Sequence, residues 1–316
     1  MTKPKVISLF SGAGGMDLGF INAGFEVVWA IDFEPDACET YSKNIGDHIV
    51  CEDITQVKTE NLPDCDIIIG GSPCQGFSNA NRQTNFLDNP KNLMVREYIR
   101  VVKDKQPKVF VLENVPRLLT AGKGKFLNEI KEQLSNYHIE VKVLNAVDHG
   151  IAQKRRRAIL IGSLIGEIKH PVAKKETMTI RDVLTNISDE LPNQDEYRAS
   201  RESTIEKMKL IKQGDNVHSL PASYNVSPNT HENVYRRLDL NEPSHTLAHA
   251  GKTVTIHPTE DRIISIREAA RIQSFPDDFT FYGDLNSKYQ QLANAVPPKM
   301  AEEIAKEIHK HIHNKN

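Results

Sequence analysis

The chain has no C-x-x-C pair, no membrane-length apolar run, no internal repeat and almost no net charge. Each absence closes a class. Its four cysteines, Cys38, Cys51, Cys65 and Cys74, lack the spacing of a zinc site or a disulfide framework, which points to a reduced, cytoplasmic protein without a metal centre. Three of them, Cys38, Cys51 and Cys65, read as small core filler. No stretch approaches the roughly 18 apolar residues of a membrane helix, and residues 1–5 lead straight into a strand rather than a signal peptide. Forty basic against 42 acidic residues give a formal charge of −2, so any contact with phosphates has to come from a local basic groove. The glycine loop from Gly12 has Asp17 at its sixth position, which breaks the dinucleotide fingerprint of a dehydrogenase, and no Lys-Ser or Lys-Thr completes a Walker loop.

What is present is an alternation of strand and helix. Residues 6–10 read as a short apolar strand, followed by the turn at Gly12, Gly14 and Gly15 and by a helix that Gly24 stops. A second strand over 27–31 ends at Asp32, and Pro35 opens the next helix. Further strands are expected at 67–69, 109–112, 141–144 and 158–161, with helices near 93–105 and 124–135. This rhythm predicts an α/β fold, a mainly parallel sheet covered on both faces, with ligand groups at the carboxyl ends of its strands. From about 166 to 262 the rhythm gives way to Pro, Asn, Ser, Thr and half of the twelve histidines, with 13 Lys and Arg against 15 Asp and Glu. That stretch predicts a loop-rich second domain. Ser265 and Glu268 then form a capping box for a helix that Pro276 stops, and Pro297-Pro298 introduces a last helix with Met300, Ile304, Ile308 and Ile312 on one face. The expected division is 1–165, 166–262 and 263–316.

The apolar run 66–72 ends in Pro73-Cys74-Gln75, a buried strand that presents one thiol. Two more blocks follow: Glu113-Asn114-Val115 after a strand, and Gln153-Lys154-Arg155-Arg156-Arg157. With the glycine loop they supply a nucleophile, an acid, a cation cluster and a ligand seat. Phe-Ser-Gly-Ala-Gly-Gly (10–15), Gly-Ser-Pro-Cys-Gln (71–75), Glu-Asn-Val (113–115) and Gln-Lys-Arg-Arg-Arg (153–157), in this order, closely resemble the cytosine-C5 DNA methyltransferases of bacterial restriction-modification systems. So do Arg-Glu-Ala-Ala-Arg-Ile-Gln-Ser-Phe-Pro (267–276) and Ala-Asn-Ala-Val-Pro-Pro (293–298). The resemblance implies a Rossmann-like methyltransferase sheet with a smaller target-recognition domain at 166–262 beside a DNA cleft. It also implies that 263–316 returns to complete the catalytic domain.

The implied cofactor is S-adenosylmethionine. Phe10, Ser11, Gly12, Gly14 and Gly15 would seat it, its carboxylate favoured at a helix N-terminus. Asp32 lies about 20 residues on, where a carboxylate accepts both ribose hydroxyls, and Phe33 beside it stacks on adenine. Taken alone, Asp32 reads as a helix-capping or solvated carboxylate. Asp53 and Ile54 meet the adenine amino group and ring, and the family adds Pro73, Leu93 and Asn294.

Cytosine C5 is a poor nucleophile, so methylation needs prior activation of the ring. A thiolate of Cys74 adding at C6 would supply it, given a site that helps the thiol ionise. Glu113 is the expected donor at N3, which burial would keep protonated. Arg155 and Arg157 point to one face of a strand and would contact the cytosine carbonyl, whereas Lys154 and Arg156 read as a solvated or phosphate-contacting face. The base has to be flipped from the duplex. The polar segment 75–92 suits a closing loop, with Gln75, Ser78 and Arg82 touching DNA. Arg236, Arg237 and Lys252 are the further expected DNA contacts. Double-stranded DNA is the expected partner, with a monomer acting at the nucleoid, no membrane, and a cognate restriction endonuclease acting separately. The rival readings are a tRNA cytosine-5 methyltransferase and a catalytically silent DNA-binding relative.

Overall fold

The computed structural model describes residues 2–73, 92–247 and 254–312, which fall into two compact units. The first comprises residues 1–145, 156–173 and 298–316, and the second residues 146–155 and 174–297.

The first unit is a seven-stranded sheet. Its strands are β1 (Lys5–Leu9), β2 (Glu26–Asp32), β3 (Ile49–Cys51), β4 (Ile67–Gly70), β5 (Val109–Asn114), β6 (His138–Asn145) and β7 (Arg156–Ser163). The order across the sheet is β3-β2-β1-β4-β5-β7-β6. The first five strands are parallel, and β7 runs antiparallel to both β5 and β6. Strand β4 sits between β1 and β5 with all four residues buried, which explains its unbroken Ile67-Ile68-Ile69 run. Helices α1 (Gly15–Asn22), α2 (Pro35–Asn44) and α3 (Leu93–Lys105) follow the first, second and fourth strands. Helix α3 buries Val95, Tyr98, Ile99 and Val102, one face at helical spacing. The Tyr98 hydroxyl donates to the carbonyls of Val111 at 2.8 Å and Ile68 at 3.3 Å, tying β4 to β5 from below.

The helix Pro298–Ile312 belongs to this unit and packs along α1. A Cβ on Gly19 would stand 2.5 Å from both Ala301 Cβ and the Pro298 carbonyl oxygen, so only glycine permits that approach. Met300, Ile304 and Ile308 are buried there, as their spacing predicted. The return to the sheet unit begins at Pro298 rather than at 263, because the capping-box helix Ile266–Ile272 and the helix Leu285–Asn294 cluster with the second unit.

The second unit has little regular structure. It contains the helices Ile180–Leu184, Glu202–Leu210, Ile266–Ile272 and Leu285–Asn294, and a two-stranded parallel pair, Arg236–Arg237 with Thr255–Ile256. Met208, Ile211, Val217, Leu220, Ile256 and Ile263 form one core, and Phe275, Phe279 and Phe281 stack within 5.2 Å of one another. Ser265 accepts from the Glu268 N–H at 3.1 Å while Glu268 accepts from the Ser265 N–H at 2.7 Å, the reciprocal cap expected from sequence. With few strands to pair loop carbonyls, buried arginines take over. Arg267, fully buried, donates to the carbonyls of Pro192, Pro276 and Phe279. Among the described residues no helix is long and apolar enough to cross a membrane.

Candidate active site

The carboxyl ends of β1 to β5 carry the residues the sequence singled out. After β1 the chain enters the left-handed region at Phe10 (φ 55°), Gly12 (φ 54°) and Gly14 (φ 88°). Phe10 is not glycine, so its conformation carries strain that a turn of three alternating left-handed residues imposes. Ser11 anchors the loop, its N–H donating to the Ile31 carbonyl at 3.0 Å. The Gly12 N–H donates to Oδ2 of Asp32 at 2.7 Å, and the Glu34 N–H donates to Oδ1 at 3.0 Å. Asp32 thus joins the glycine loop to the start of α2, and burial raises its pKa above the usual carboxylate range. Asp32 does not cap α2 itself, whose N-cap is Glu34, and each of its oxygens keeps a further lone pair.

Phe33 is 56 % exposed, a large aromatic ring held in the open beside that carboxylate. After β3, Asp53 caps a single 3₁₀ turn by accepting the Thr55 N–H at 2.9 Å, and Ile54 is buried. Arg100 of α3 holds the same turn, donating to the carbonyls of Ile54 and Val57 at 3.2 Å each. Leu93 opens α3 and Pro73 is half-buried. Cys38 is buried, its thiol donating to the Asp32 carbonyl at 3.4 Å, and burial pushes its pKa up. Cys65 is half-buried and pushed up to about 12. Cys51 departs from the core-filler expectation: it ends the edge strand β3 and is exposed.

At β4 and β5 the geometry tightens. Asn114 is buried, and its amide donates to the Ser72 carbonyl at 3.0 Å and hydroxyl at 3.3 Å, fixing the chain two residues before Cys74. Sequence reasoning quoted Asn114 within a block yet gave it no role. Glu113 is 7 % exposed, with Oε1 2.8 Å from Nε of Arg157. A Cβ on Gly71 would lie 2.9 Å from Glu113 Oε2, so the carboxylate reaches over the strand end and would have to shift if residue 71 carried a side chain. Arg157 meets Glu113 because β7 is antiparallel: its amino end reaches the edge where the parallel strands finish, pairing Asn114 with Ala158.

Arg155 is not part of that pair. Strand β7 begins at Arg156, and Arg155 lies before it, fully buried in the second unit, so strand alternation does not govern its direction. Its Nη2 donates to the carbonyls of Ala293 and Ala295 at 2.7 Å each. It therefore fixes the turn that presents Asn294, whose side chain is exposed and accepts from Gln290 at 2.7 Å. Lys154 and Arg156 are exposed, as expected of the outward residues.

Cys74, Gln75, Ser78, Arg82 and Lys252 lie outside the described residues. Of the remaining DNA-contact expectations, Arg237 is overturned. It is 5 % exposed and donates to the carbonyls of Ile211, His257, Glu260 and Met208 and to Asp261 at 2.6 Å. A guanidinium so occupied scaffolds loops and is not available to a phosphate. Arg236 keeps a 31 % exposed side chain, 3.9 Å from Glu232. Arg237→Ala is expected to destabilise the protein by at least about 1–3 kcal/mol through the buried carbonyls it leaves without a donor, seen as a lowered melting temperature. An unchanged melting temperature with a DNA-binding salt slope reduced by about one would restore the phosphate role.

The described residues bring together parallel strands, a glycine loop closed by Asp32, and the Glu113–Arg157 pair at the end of β5. The chain belongs to the C-5 cytosine-specific DNA methylase family, whose sequence model matches residues 4–310. It is similar to the type II methyltransferase M.NgoFVII of Neisseria gonorrhoeae, at 40 % identity over 97 % of this chain and 86 % of the relative. Type II methyltransferase M1.HphI of Haemophilus parahaemolyticus matches at 38 % over 96 % of this chain and 86 % of its own. Among solved structures, a DNA modification methyltransferase encoded within an Escherichia coli prophage superposes with a TM-score of 0.81 at 26 % identity, covering 99 % of this chain and all of the other. The Dnmt2 methyltransferase of S. pombe gives 0.73 at 18 % identity over 99 % of this chain and all of its own, a likeness of fold alone.

Proposed function

We propose that the chain methylates C5 of a cytosine extruded from a specific double-stranded DNA sequence, using S-adenosylmethionine and Cys74. One observation carries the chemistry: Glu113 Oε2 over Gly71, with Arg157 Nε 2.8 Å from Oε1, at the strand end that leads within three residues to Cys74. The Cys74 thiolate would form a bond to C6 and move the ring electrons toward C5 and N3, where Glu113, once it has taken a proton from solvent against the pull of Arg157, would donate it. Arg157 steadies both the carboxylate and the cytosine carbonyl. C5 would then take the methyl group as the carbon–sulfur bond of the donor breaks, and transfer of the C5 proton to water would reform the C5–C6 double bond and expel the thiolate. Extrusion of the base costs a few kcal/mol and is offset by contacts in the site.

The glycine loop and Asp32 support the cofactor reading. Among the described residues a Cβ on Gly12 would meet nothing within 4 Å, and Asp32 at the end of the neighbouring strand, followed by Phe33, flanks the loop. S-adenosylmethionine would supply a methyl group on a sulfonium, a leaving group that needs no acid. Asp32 and Phe33 would hold its ribose and adenine, Asp53 and Ile54 the far edge of the ring, and Pro73 and Leu93 further contacts. Arg155 acts through the Ala293–Ala295 turn as a positioning residue.

Asp32→Ala is expected to weaken cofactor binding about 10- to 100-fold, since hydrogen bonds to a charged group are worth roughly 1.5–3 kcal/mol. Calorimetry measures it, and an unchanged affinity removes the ribose role. For the reaction itself, radiolabelled S-adenosylmethionine is offered with duplex DNA or with tRNA. Label in cytosine of the duplex supports the proposal, label in tRNA alone overturns the substrate, and label in neither favours a silent relative. A restriction endonuclease acting separately at the same sequence is the proposed partner. Bisulfite sequencing of an expressing host would reveal that sequence.

A further inference from the structure

Beneath the glycine loop lies a buried hydrogen-bonded chain that methyl transfer, as described above, does not use. Asp17, third residue of α1, has no exposed surface, and its Oδ1 accepts from the Tyr41 hydroxyl at 2.9 Å. That hydroxyl, on α2, also stands 3.0 Å from Nε2 of His48, whose ring meets the tyrosine edge-on. A phenol has one proton; with Asp17 ionised it goes to the carboxylate, and the His48 tautomer protonated at Nε2 completes the chain. The chain touches the loop directly. A Cβ on Gly14 would fall 2.9 Å from the Tyr41 ring and 2.2 Å from Ile45, so the left-handed Gly14 rests on Tyr41.

Burial is the largest influence on Asp17 and pushes it up to about 6. The Ser8 hydroxyl on β1 and the Tyr41 hydroxyl lower it, and the charge of Asp32 on β2 raises it. On the helix Pro298–Ile312, which packs along α1, Glu302 is engaged by Lys306 at 2.6 Å. Burial lowers the pKa of His48, against a smaller opposing effect of Asp47.

Two carboxylates beside one loop repel each other until a cation arrives. A methyl donor with a sulfonium, an ammonium and one carboxylate is a net cation, whereas its product, lacking the sulfonium charge, is neutral. We propose that Asp17 is a positioning residue whose ionised form favours the cationic methyl donor over the demethylated product, held by Tyr41 and His48 under the glycine loop. The proposal rests on the cofactor reading given above.

Calorimetry of S-adenosylmethionine and S-adenosylhomocysteine between pH 5.5 and 7.5 tests it. For a group titrating near 6, affinity for the donor is expected to rise about fourfold over that range, with proton release, and affinity for the product to change less. Asp17→Asn is expected to flatten the donor's profile and to raise the melting temperature at pH 7.5. The sign follows from a folded-state pKa above the ordinary one: the stability that goes with the protonated form is lost as pH rises through about 6, and asparagine retains it. Tyr41→Phe, a second variant, is expected to move the profile to higher pH, because the lost hydrogen bond lowered Asp17. Donor binding without pH dependence overturns the inference alone, as does a wild-type slope in Asp17→Asn, which would assign the slope to Asp32. Absence of donor binding at every pH overturns the cofactor reading and the inference with it.

Discussion

Replacing Cys74 with alanine is expected to lower methyl transfer at least about ten-thousand-fold, the scale on which loss of a covalent nucleophile acts. The physical reason is the electronic poverty of cytosine C5. Without a sulfur on C6, no electron pair is pushed toward C5, and the acid and guanidinium have no developing charge to stabilise. DNA binding should survive, because duplex affinity is dominated by phosphate contacts, which a neutral thiol does not supply. The covalent step has its own signature. A duplex with 5-fluorocytosine at the target would be methylated and then trapped, since fluorine cannot leave C5 as a proton does. The expected product is a protein–DNA adduct on Cys74, stable to denaturation and absent in Cys74→Ala. Turnover by the alanine variant, or a wild-type protein that never forms the adduct, would refute the nucleophile.

Much of the sheet unit was legible because its signals are local. Buried parallel strands write themselves as apolar runs, and the strand-end motifs follow them directly, so Ile67–Gly70 and Val109–Asn114 stood where periodicity placed them. What was not legible was partnership across the sheet. Arg157 reaches Glu113 only because β7 is antiparallel and inserted between β5 and β6, a fact of topology that a linear pattern does not carry. Arg155, two residues away, was assigned to the same face on the assumption of a continuous strand. The strand starts one residue too late for that assumption, and the side chain instead supports the Ala293–Ala295 turn.

The loop-rich unit misled in a different way. Arginine in a polar stretch reads as solvated charge or a phosphate contact, yet Arg237 and Arg267 are buried among carbonyls. Where strands are scarce, loop carbonyls still need donors, and a guanidinium with five N–H groups serves several at once. Nothing in composition separates that use from DNA contact. The capping box at Ser265 and Glu268 was readable because its two hydrogen bonds lie three residues apart. The short reach of a signal, more than its chemical strength, decided what could be read.

Glu113→Gln is expected to lower kcat by about a hundred- to ten-thousand-fold, equivalent to about 3–5 kcal/mol of barrier, with little change in cofactor affinity. Glutamine keeps the volume and one carbonyl oxygen but removes the ion pair with Arg157, now 2.8 Å away, and cannot pass a proton to N3. Gly71→Ala separates the acid's chemistry from its placement. The carboxylate is intact in that variant, but the new Cβ would lie 2.9 Å from Oε2 and force it aside. A displacement on the scale of an ångström costs about a hundredfold when a reacting geometry must be held. Gly71→Ala should therefore lose roughly as much rate as a mild acid variant, while its fold and its affinity for S-adenosylmethionine remain near wild type. If Glu113→Gln turns over within a few-fold of wild type, the proton at N3 comes from elsewhere. If Gly71→Ala alone is unimpaired, the carboxylate works from a position other than the one over that glycine.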